Sequence, residues 1–333
     1  MRKYHVYGIG AALVDTEIEV NDHELSAMGV EKGLMTLVDE TRQQELLGHL
    51  EGHLVHSKQT SGGSACNSIV AAAWFGAKGY YSCKVADDDF GQLFLSELKS
   101  AGIDADFDSE RDSGITGKCL VLISPDAERS MNTHLGISAE LSIKELNEQA
   151  LADSQYFYAE GYLVTSDTGR AAAIRGREVA EQHGVKTAFS FSDPGMVSFF
   201  KDGLKDMLGS GVDLLFCNEA EALGWADTDS IETAIAEIKK VSRSFAITLG
   251  AKGALVFDGE TLHEIAPHAV KAVDTNGAGD MFAGAFLYAI SHGYDYRKAG
   301  ELASRAAAEV VSQYGPRLQG PAHTTLRQSV LGS

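Results

Sequence analysis

Residues 273–290, VDTNGAGDMFAGAFLYAI, place a carboxylate directly after a glycine-rich turn. Gly277 and Gly279 tolerate positive φ and close backbone approach. Residues 281–290 are apolar all round, which predicts a buried helix with Asp280 in its first turn. The amides of Gly277, Ala278 and Gly279 then open that helix without partners in the chain, and such amides form an anion site. A carboxylate beside it can take a proton from a hydroxyl while the amides hold a phosphoryl group. Alone, Gly-x-Gly-Asp is better explained as a capped tight turn, so the chemistry rests on what other stretches add.

Asn218 and Glu221 open a helix straight after an apolar strand and share one helix face at i and i+3. An amide oxygen and a carboxylate so placed suit Mg²⁺, directly or through its waters, although Asn is also a good helix cap. Thr248-Leu249-Gly250-Ala251-Lys252-Gly253 ends the next strand, where its glycines expose amides to phosphate and Thr248 and Lys252 are donors; a tight hairpin turn is the competing reading. The run Ser61-Gly62-Gly63-Ser64-Ala65-Cys66-Asn67 leads into an apolar helix and puts Asn67 on its first turn; a serine-capped glycine loop explains it equally well. Asp15 stands near the carboxyl end of the first strand, where open α/β sheets bind ligands, or is a loop aspartate. Arg129 is a candidate contact to an anion, or a solvated arginine.

Other phosphate and hydrolase patterns are missing. Gly117-Lys118 has Asp112 and Cys119 where Walker A needs Gly and Ser or Thr. H-R-D, G-x-S-x-G and H-E-x-x-H do not occur, and Asp89-Phe90-Gly91 stands without an H-R-D, so no protein-kinase set is present. Gly8-Ile9-Gly10 resembles a dinucleotide fingerprint, but Leu13 occupies the third glycine position.

The elements that would carry these residues alternate. Strands are expected at 5–9, 80–85, 156–159, 186–190, 213–216 and 245–249. Helices are expected at 41–50, 68–75, 88–101, 166–183, 218–224, 231–241, 281–292 and 296–312, with a hairpin at 254–265. Such alternation predicts a parallel sheet covered by helices on both faces. Short strands at 18–20, 34–38, 117–123 and 129–133 lack helical partners, and we read them as a small separate sheet forming a lid. Residues past 315 read as a poorly ordered tail apart from a last turn.

With 333 residues the chain has room for a large core. Its 28 basic and 47 acidic residues leave a net charge of −19, which speaks against nucleic acid or an anionic membrane surface as partner. An anionic ligand would therefore be held by backbone amides, a divalent cation and a few local basic groups. Cys66, Cys83, Cys119 and Cys217 are scattered and read as reduced thiols of a cytoplasmic protein. The first residues lack a signal-peptide apolar core, and no apolar run spans a membrane.

Taken together these stretches resemble the ribokinase-type (PfkB) family of carbohydrate and nucleoside kinases, over nearly the whole chain. DTNGAGD at 274–280 resembles its C-terminal signature. GGSACNSIVAAAWFGA at 62–77, with 87–91, resembles its N-terminal one. Asn218-Glu219-Ala220-Glu221 and residues 248–253 match its N-x-x-E and T-x-G-x-x-G.

The resemblance implies a ribokinase-like three-layer α/β/α fold with a mostly parallel central sheet and a β-sheet lid. One kinase domain would span 1–315, with lid strands from about 15–38 and 115–135 and a tail at 316–333. It implies Asp280 as catalytic base, Gly277, Ala278 and Gly279 as anion hole, and Asn218 and Glu221 as organisers of Mg²⁺. Asn218, Thr248, Gly250 and Gly253 would contact ATP. Asp15, Gly62, Gly63, Asn67 and Arg129 would hold the acceptor. K⁺ near the Asp274–Thr275 backbone is a further implied cation. Residues 129–136 and 160–163 are more similar to the adenosine kinase-like branch, which implies a nucleoside acceptor; the alternative is a free sugar or sugar acid such as ribose, fructose or 2-keto-3-deoxygluconate. Outside the family, the rivals are a nucleotide-binding oxidoreductase and an inactive sugar-binding module. Monomer and homodimer both remain open.

Overall fold

Strand and helix alternate as the sequence pattern predicts, and in the computed structural model, which describes residues 2–53, 55–319 and 321–332, they build two sheets. The strands are β1 (Tyr4–Ile9), β2 (Leu13–Glu19), β3 (Met35–Leu37), β4 (Val55–Gly62), β5 (Gly79–Ser82), β6 (Gly117–Ile123) and β7 (Arg129–His134). They continue as β8 (Ser154–Glu160), β9 (Lys186–Ser190), β10 (Val212–Asn218), β11 (Ser242–Thr248), β12 (Ala254–Phe257) and β13 (Leu262–Ile265). The α-helices are α1 (Asp22–Ala27), α2 (Glu40–His49), α3 (Ser64–Phe75), α4 (Asp89–Ser100), α5 (Glu148–Ala152) and α6 (Asp167–Gln182). They continue as α7 (Pro194–Leu208), α8 (Glu219–Ala226), α9 (Ile231–Ile238), α10 (Ala278–Ser291), α11 (Tyr296–Val310) and α12 (Ala322–Leu331).

The main sheet runs β13-β12-β11-β10-β9-β8-β1-β5. It is parallel from β5 through β11 and antiparallel in the β11–β12–β13 edge. One face packs on α3, α4, α10, α11 and α12. The other packs on α5 to α9, which makes three layers. Two-sided burial is why the inner strands read as near-continuous apolar runs.

The second sheet, β3-β7-β6-β2-β4, is the lid. Its outer face is closed by α1 and α2 through Ile18, Val20, Leu25, Met28, Leu46, Leu50, Leu120 and Leu122. Its inner face carries Leu13, Cys119 and Val121, with Met131 and Leu135 packed against them.

Two helices aim the site. In α10, residues 281 to 290 are all buried, and a Cβ on Gly284 would lie 2.4 Å from Ser68 O of α3. The missing side chain lets the two backbones touch, so the N-terminus of α3 stands over the N-terminus of α10.

The structure departs from the sequence reading in several places. Asp15 lies inside lid strand β2, past the carboxyl end of β1. Helix α3 starts at Ser64, four residues earlier than expected, with Gly63 rather than a serine as N-cap. Helix α7 was not expected: Gly195 and Gly203 dilute its helical pattern, although Asp193 caps it and Pro194 opens it, two features that favour a helix start. Strand β4, polar in sequence, is not among the expected strands. The tail carries α12, which buries His323 and Leu326 and bonds α3 through Arg327 Nη1 to Phe75 O at 2.9 Å. Among the described residues no helix is long and apolar enough to cross a membrane.

Candidate active site

A cavity of about 490 Å³ lies between the carboxyl ends of the main-sheet strands and the lid. Asp15, Gly63, Asn67, Arg129, Asn218, Glu221, Thr248, Gly250, Gly277, Ala278, Gly279 and Asp280 all line it. These residues are spread over more than 260 positions of sequence and meet only here. Gly62 and Gly253 are outside the lining. A Cβ on Gly62 would lie 2.0 Å from Asp15 Oδ2, so this glycine makes room for that carboxylate. Gly253 turns the chain at φ +97°, with Ile265 O 2.1 Å from where its Cβ would be.

The floor is the start of α10. Gly277 adopts φ 73°, and the amides of Gly277 and Gly279 find no acceptor among the described residues. Ala278 differs from expectation: its N–H donates a long bond of 3.3 Å to Thr275 O. The start of α10 therefore offers two amides free among the described residues and one loosely held, at the positive end of a fourteen-residue helix, where an anion would be favoured.

Asp280 has defined partners. Ser64 Oγ donates to its Oδ1 at 2.6 Å, and Asn67 Nδ2 donates to Oδ2 at 3.3 Å. Desolvation in the cavity raises its pKa, while these two bonds and the charges of Arg129 and Arg317 pull it down. Such a carboxylate can accept a proton from a nearby hydroxyl without leaving its place. Ser64 was missed in the sequence, where it reads as an ordinary helix-start serine.

Around Asp280 sit other buried acids. Asp15 is 5% exposed, and burial pushes its pKa up to about 7 against the pull of Arg317. Glu160, also missed, accepts from Ala11 N at 2.8 Å and Ala65 N at 2.7 Å; burial pushes it to about 7 as well. It ties the β1–β2 connection to the first turn of α3. A Cβ on Gly10 would lie 2.6 Å from Glu160 Oε2. Gly10 thus makes room for a side chain, which accounts for the partial dinucleotide fingerprint without a pyrophosphate.

Arg129 reaches down from lid strand β7 into the cavity. Its guanidinium has no carboxylate partner within ion-pair distance among the described residues, and its side-chain contact is Met131 Sδ at 3.9 Å. The surrounding Tyr162, Asp280 and Asp193 reinforce its charge.

At the far end, Asn218 and Glu221 form a reciprocal capping box on α8. Glu221 Oε2 accepts from Asn218 N at 2.9 Å and Oε1 from Asn218 Nδ2 at 2.8 Å, while Asn218 Oδ1 accepts from Glu221 N at 2.8 Å. Burial pushes Glu221 up to about 7. Gly250 is exposed, at φ 58°, with nothing near its Cβ position. Lys252 is not a free donor: its Nζ bonds both oxygens of Glu219 at 2.8 and 2.7 Å. All four cysteines are free thiols, three of them buried.

A two-sheet fold whose lid covers a glycine-rich helix start and a buried carboxylate is the architecture of a small-molecule kinase. Residues 20–323 match the pfkB family carbohydrate kinase, and the chain belongs to that family. It is a phosphotransferase with an alcohol group as acceptor, of the branch that phosphorylates nucleosides or sugars. It is similar to adenosine kinase from Schizophyllum commune, 27% identical over 96% of this chain and 98% of that protein. The crystal structure of adenosine kinase from Sinorhizobium meliloti superposes with a TM-score of 0.93, at 31% identity over 98% of this chain and 99% of its own. That of a probable sugar kinase protein from Rhizobium etli CFN 42 gives 0.93 as well, at 31% identity and 99% of both chains.

Proposed function

We propose that the chain transfers the γ-phosphate of ATP to the primary 5′-hydroxyl of a nucleoside of the adenosine class. The observation that carries the nucleoside reading is the lid wall of the cavity: Leu13, Met35, Leu37, Cys119, Met131 and Leu135 face the space above Asp280. A purine has an apolar face of the size such a wall covers, and methionine adapts to flat rings. A free sugar carries hydroxyls in every direction and would leave that wall with nothing apolar to bury. The similarity to adenosine kinases supports the same choice.

In this reading the ribose lies over Asp15 and Asn67, which accept and donate to its hydroxyls, with Gly63 at the rim. Asp280 accepts the proton of the 5′-hydroxyl as the new O–P bond forms and the bond to the leaving ADP oxygen breaks. The free amides of Gly277 and Gly279, and the loosely held one of Ala278, stabilise the transferring phosphoryl oxygens. Arg129 supplies the positive charge on the lid side. The triphosphate runs from there toward Thr248 and Gly250 at the end of β11.

Mg²⁺ would be held by Asn218 and Glu221. Both Glu221 oxygens already accept an Asn218 N–H, so the fit is through retained waters rather than by direct ligation. A buried carboxylate whose pKa is pushed up to about 7 gains from a nearby cation. When bound, Mg²⁺ neutralises phosphate charge. Nothing in the geometry adds to the K⁺ expectation: the Asp274 oxygens accept the amides of Asn276 at 2.8 Å and Gly315 at 2.9 Å.

The test is an ATP-dependent phosphate-transfer panel with adenosine, inosine, ribose, fructose and 2-keto-3-deoxygluconate. Burying on the order of 100 Å² of base against the lid stabilises binding by about 2.5 kcal/mol. Adenosine should therefore exceed ribose in kcat/KM by roughly two orders of magnitude. Equal or better turnover of any free sugar would transfer the assignment to the sugar-kinase alternative.

A further inference from the structure

We infer that Arg317, from the segment after α11, is a positioning residue for phosphoryl transfer: it pins the Asn67 side-chain amide so that its NH₂ faces Asp280. This rests on the reading of Asp280 as the base and adds a residue outside the motif stretches.

The geometry is a relay of three side chains. Arg317 Nε donates to Asn67 Oδ1 at 3.0 Å, and Asn67 Nδ2 donates to Asp280 Oδ2 at 3.3 Å. A side-chain amide has a donor end and an acceptor end of nearly equal size. Turned over, Asn67 would point its oxygen at the Asp280 carboxylate and repel it. The guanidinium has no acceptor lone pair, so it can face only the oxygen end and thereby excludes the turned-over state.

Arg317 is itself fixed. Its Nη1 donates to Ser61 Oγ at 3.0 Å and its Nη2 to Cys66 Sγ at 3.5 Å, with Glu97 Oε2 at 3.9 Å from Nη1. Its side chain is only 11% exposed. The three residues around it are seated against the start of α10 and the core. Gly315 N donates to Asp274 Oδ2 at 2.9 Å. Pro316 fills the space a Cβ on Gly277 would take, 2.3 Å from Pro316 Cβ. Leu318 is 3% exposed in the core beneath α3 and α10. The segment therefore buttresses the anion site with one residue and sets the amide beside the base with the next.

A buried cation here also acts by charge. Asp280 is faced by Arg129 from β7 and Arg317, which favour its ionised form, and its own charge acts on Glu160 and Tyr158 of β8 and on Tyr162 after it. Asp15 of β2 feels both Arg317 and Asp280. Neutralising Arg317 disfavours ionised Asp280, which moves the acid limb of the kcat profile to higher pH.

The experiment compares wild type, Arg317→Gln, Arg317→Lys, Asn67→Ala, the Asn67→Ala/Arg317→Gln pair and Asp280→Asn, each by kcat against pH. Arg317→Gln should lower plateau kcat about tenfold and raise the acid limb by roughly half a pH unit. Against an Asn67→Ala background the same change should cost less than about twofold in plateau kcat, because the residue it acts through is gone. Arg317→Lys keeps the charge and loses the fork, so the acid limb should stay while plateau kcat falls; this comparison stands even where Arg317→Gln does not fold. An unmoved acid limb in Arg317→Gln, an undiminished loss in the Asn67→Ala background, or wild-type plateau kcat in Arg317→Lys would each overturn the inference. Asp280→Asn tests the underlying reading separately: a loss of about 10²–10⁴ upholds the base even where Arg317 is silent, and near wild-type turnover removes the base itself.

Discussion

Replacing Gly279 by alanine puts one methyl group at the mouth of α10. The Cβ position has nothing within 4 Å, and the residue is not in the left-handed region. Alanine in a helix is favoured over glycine by up to about 1 kcal/mol, less in the first turn. Gly279→Ala should therefore leave thermal stability unchanged or raise it by a degree or two. The same methyl projects beside a free amide, into the space where phosphoryl oxygens would sit. A displacement of about 1 Å from productive geometry costs roughly 10²-fold in rate. Gly277→Ala is the counterpart. Its φ of 73° costs an L-residue about 1–2 kcal/mol. Its Cβ would lie 2.3 Å from Pro316 Cβ and 2.5 Å from Pro316 Cα, an overpacking worth a further 1–3 kcal/mol or so. Together these predict a loss of about 2–5 kcal/mol, seen as a fall in Tm of roughly 3–7 °C. Thermal melting and ADP release at saturating acceptor are measured on both variants. Wild-type turnover in Gly279→Ala would refute the anion-hole geometry. A Tm loss in Gly279→Ala as large as that of Gly277→Ala would refute the open space read at residue 279.

Glu17 gives a pH prediction. It is fully buried, its Oε1 accepts from Asn276 Nδ2 at 3.2 Å, Oε2 has no partner among the described residues, and burial beside Asp274 pushes its pKa up to about 8. A carboxyl raised in the folded state holds its proton while the unfolded chain gives it up. Its stabilising contribution is thus complete below about pH 4.5 and is lost as pH rises through about 8. Melting of the ligand-free protein should show Tm falling from pH 6 to pH 8, and Glu17→Gln should flatten that fall and be the more stable protein at pH 8; an unchanged slope would remove Glu17 from the effect. Glu221→Gln should raise the Mg²⁺ concentration needed for half-maximal rate more than it raises the acceptor KM, since Gln keeps one oxygen to accept from Asn218 N and removes the charge; identical Mg²⁺ titrations would count against a cation role there.

Short-range features of the site were legible because their geometry is local. The Asn218–Glu221 pairing needs only a helix start, and the structure shows it as a capping box within four residues. The DTNGAGD turn and the apolar helix after it declare themselves by composition, and so does the alternation that builds a parallel sheet. Helix α7 escaped notice because Gly195 and Gly203 are there for packing: a Cβ on Gly203 would lie 2.5 Å from Val164 Cγ2. The strand that carries Asp15 was not legible as such, because pairing of β2 with β4 and β6 depends on partners that lie about 45 and 104 residues away.

Residue order alone was enough to specify a glycine-rich helix start, a carboxylate beside it and the layered sheet that carries both, since each follows from spacing and hydrophobic period within a dozen residues. Folding in three dimensions decided the rest. It brought Ser64 and Asn67 over Asp280 by letting α3 and α10 touch at Gly284. It laid an apolar lid wall across the cavity and turned a presumed tail into a clamp through Arg317, 250 residues from the amide it holds. Contacts of that span have no periodic or compositional signature, because what selects them is shape and charge between elements that are remote along the chain.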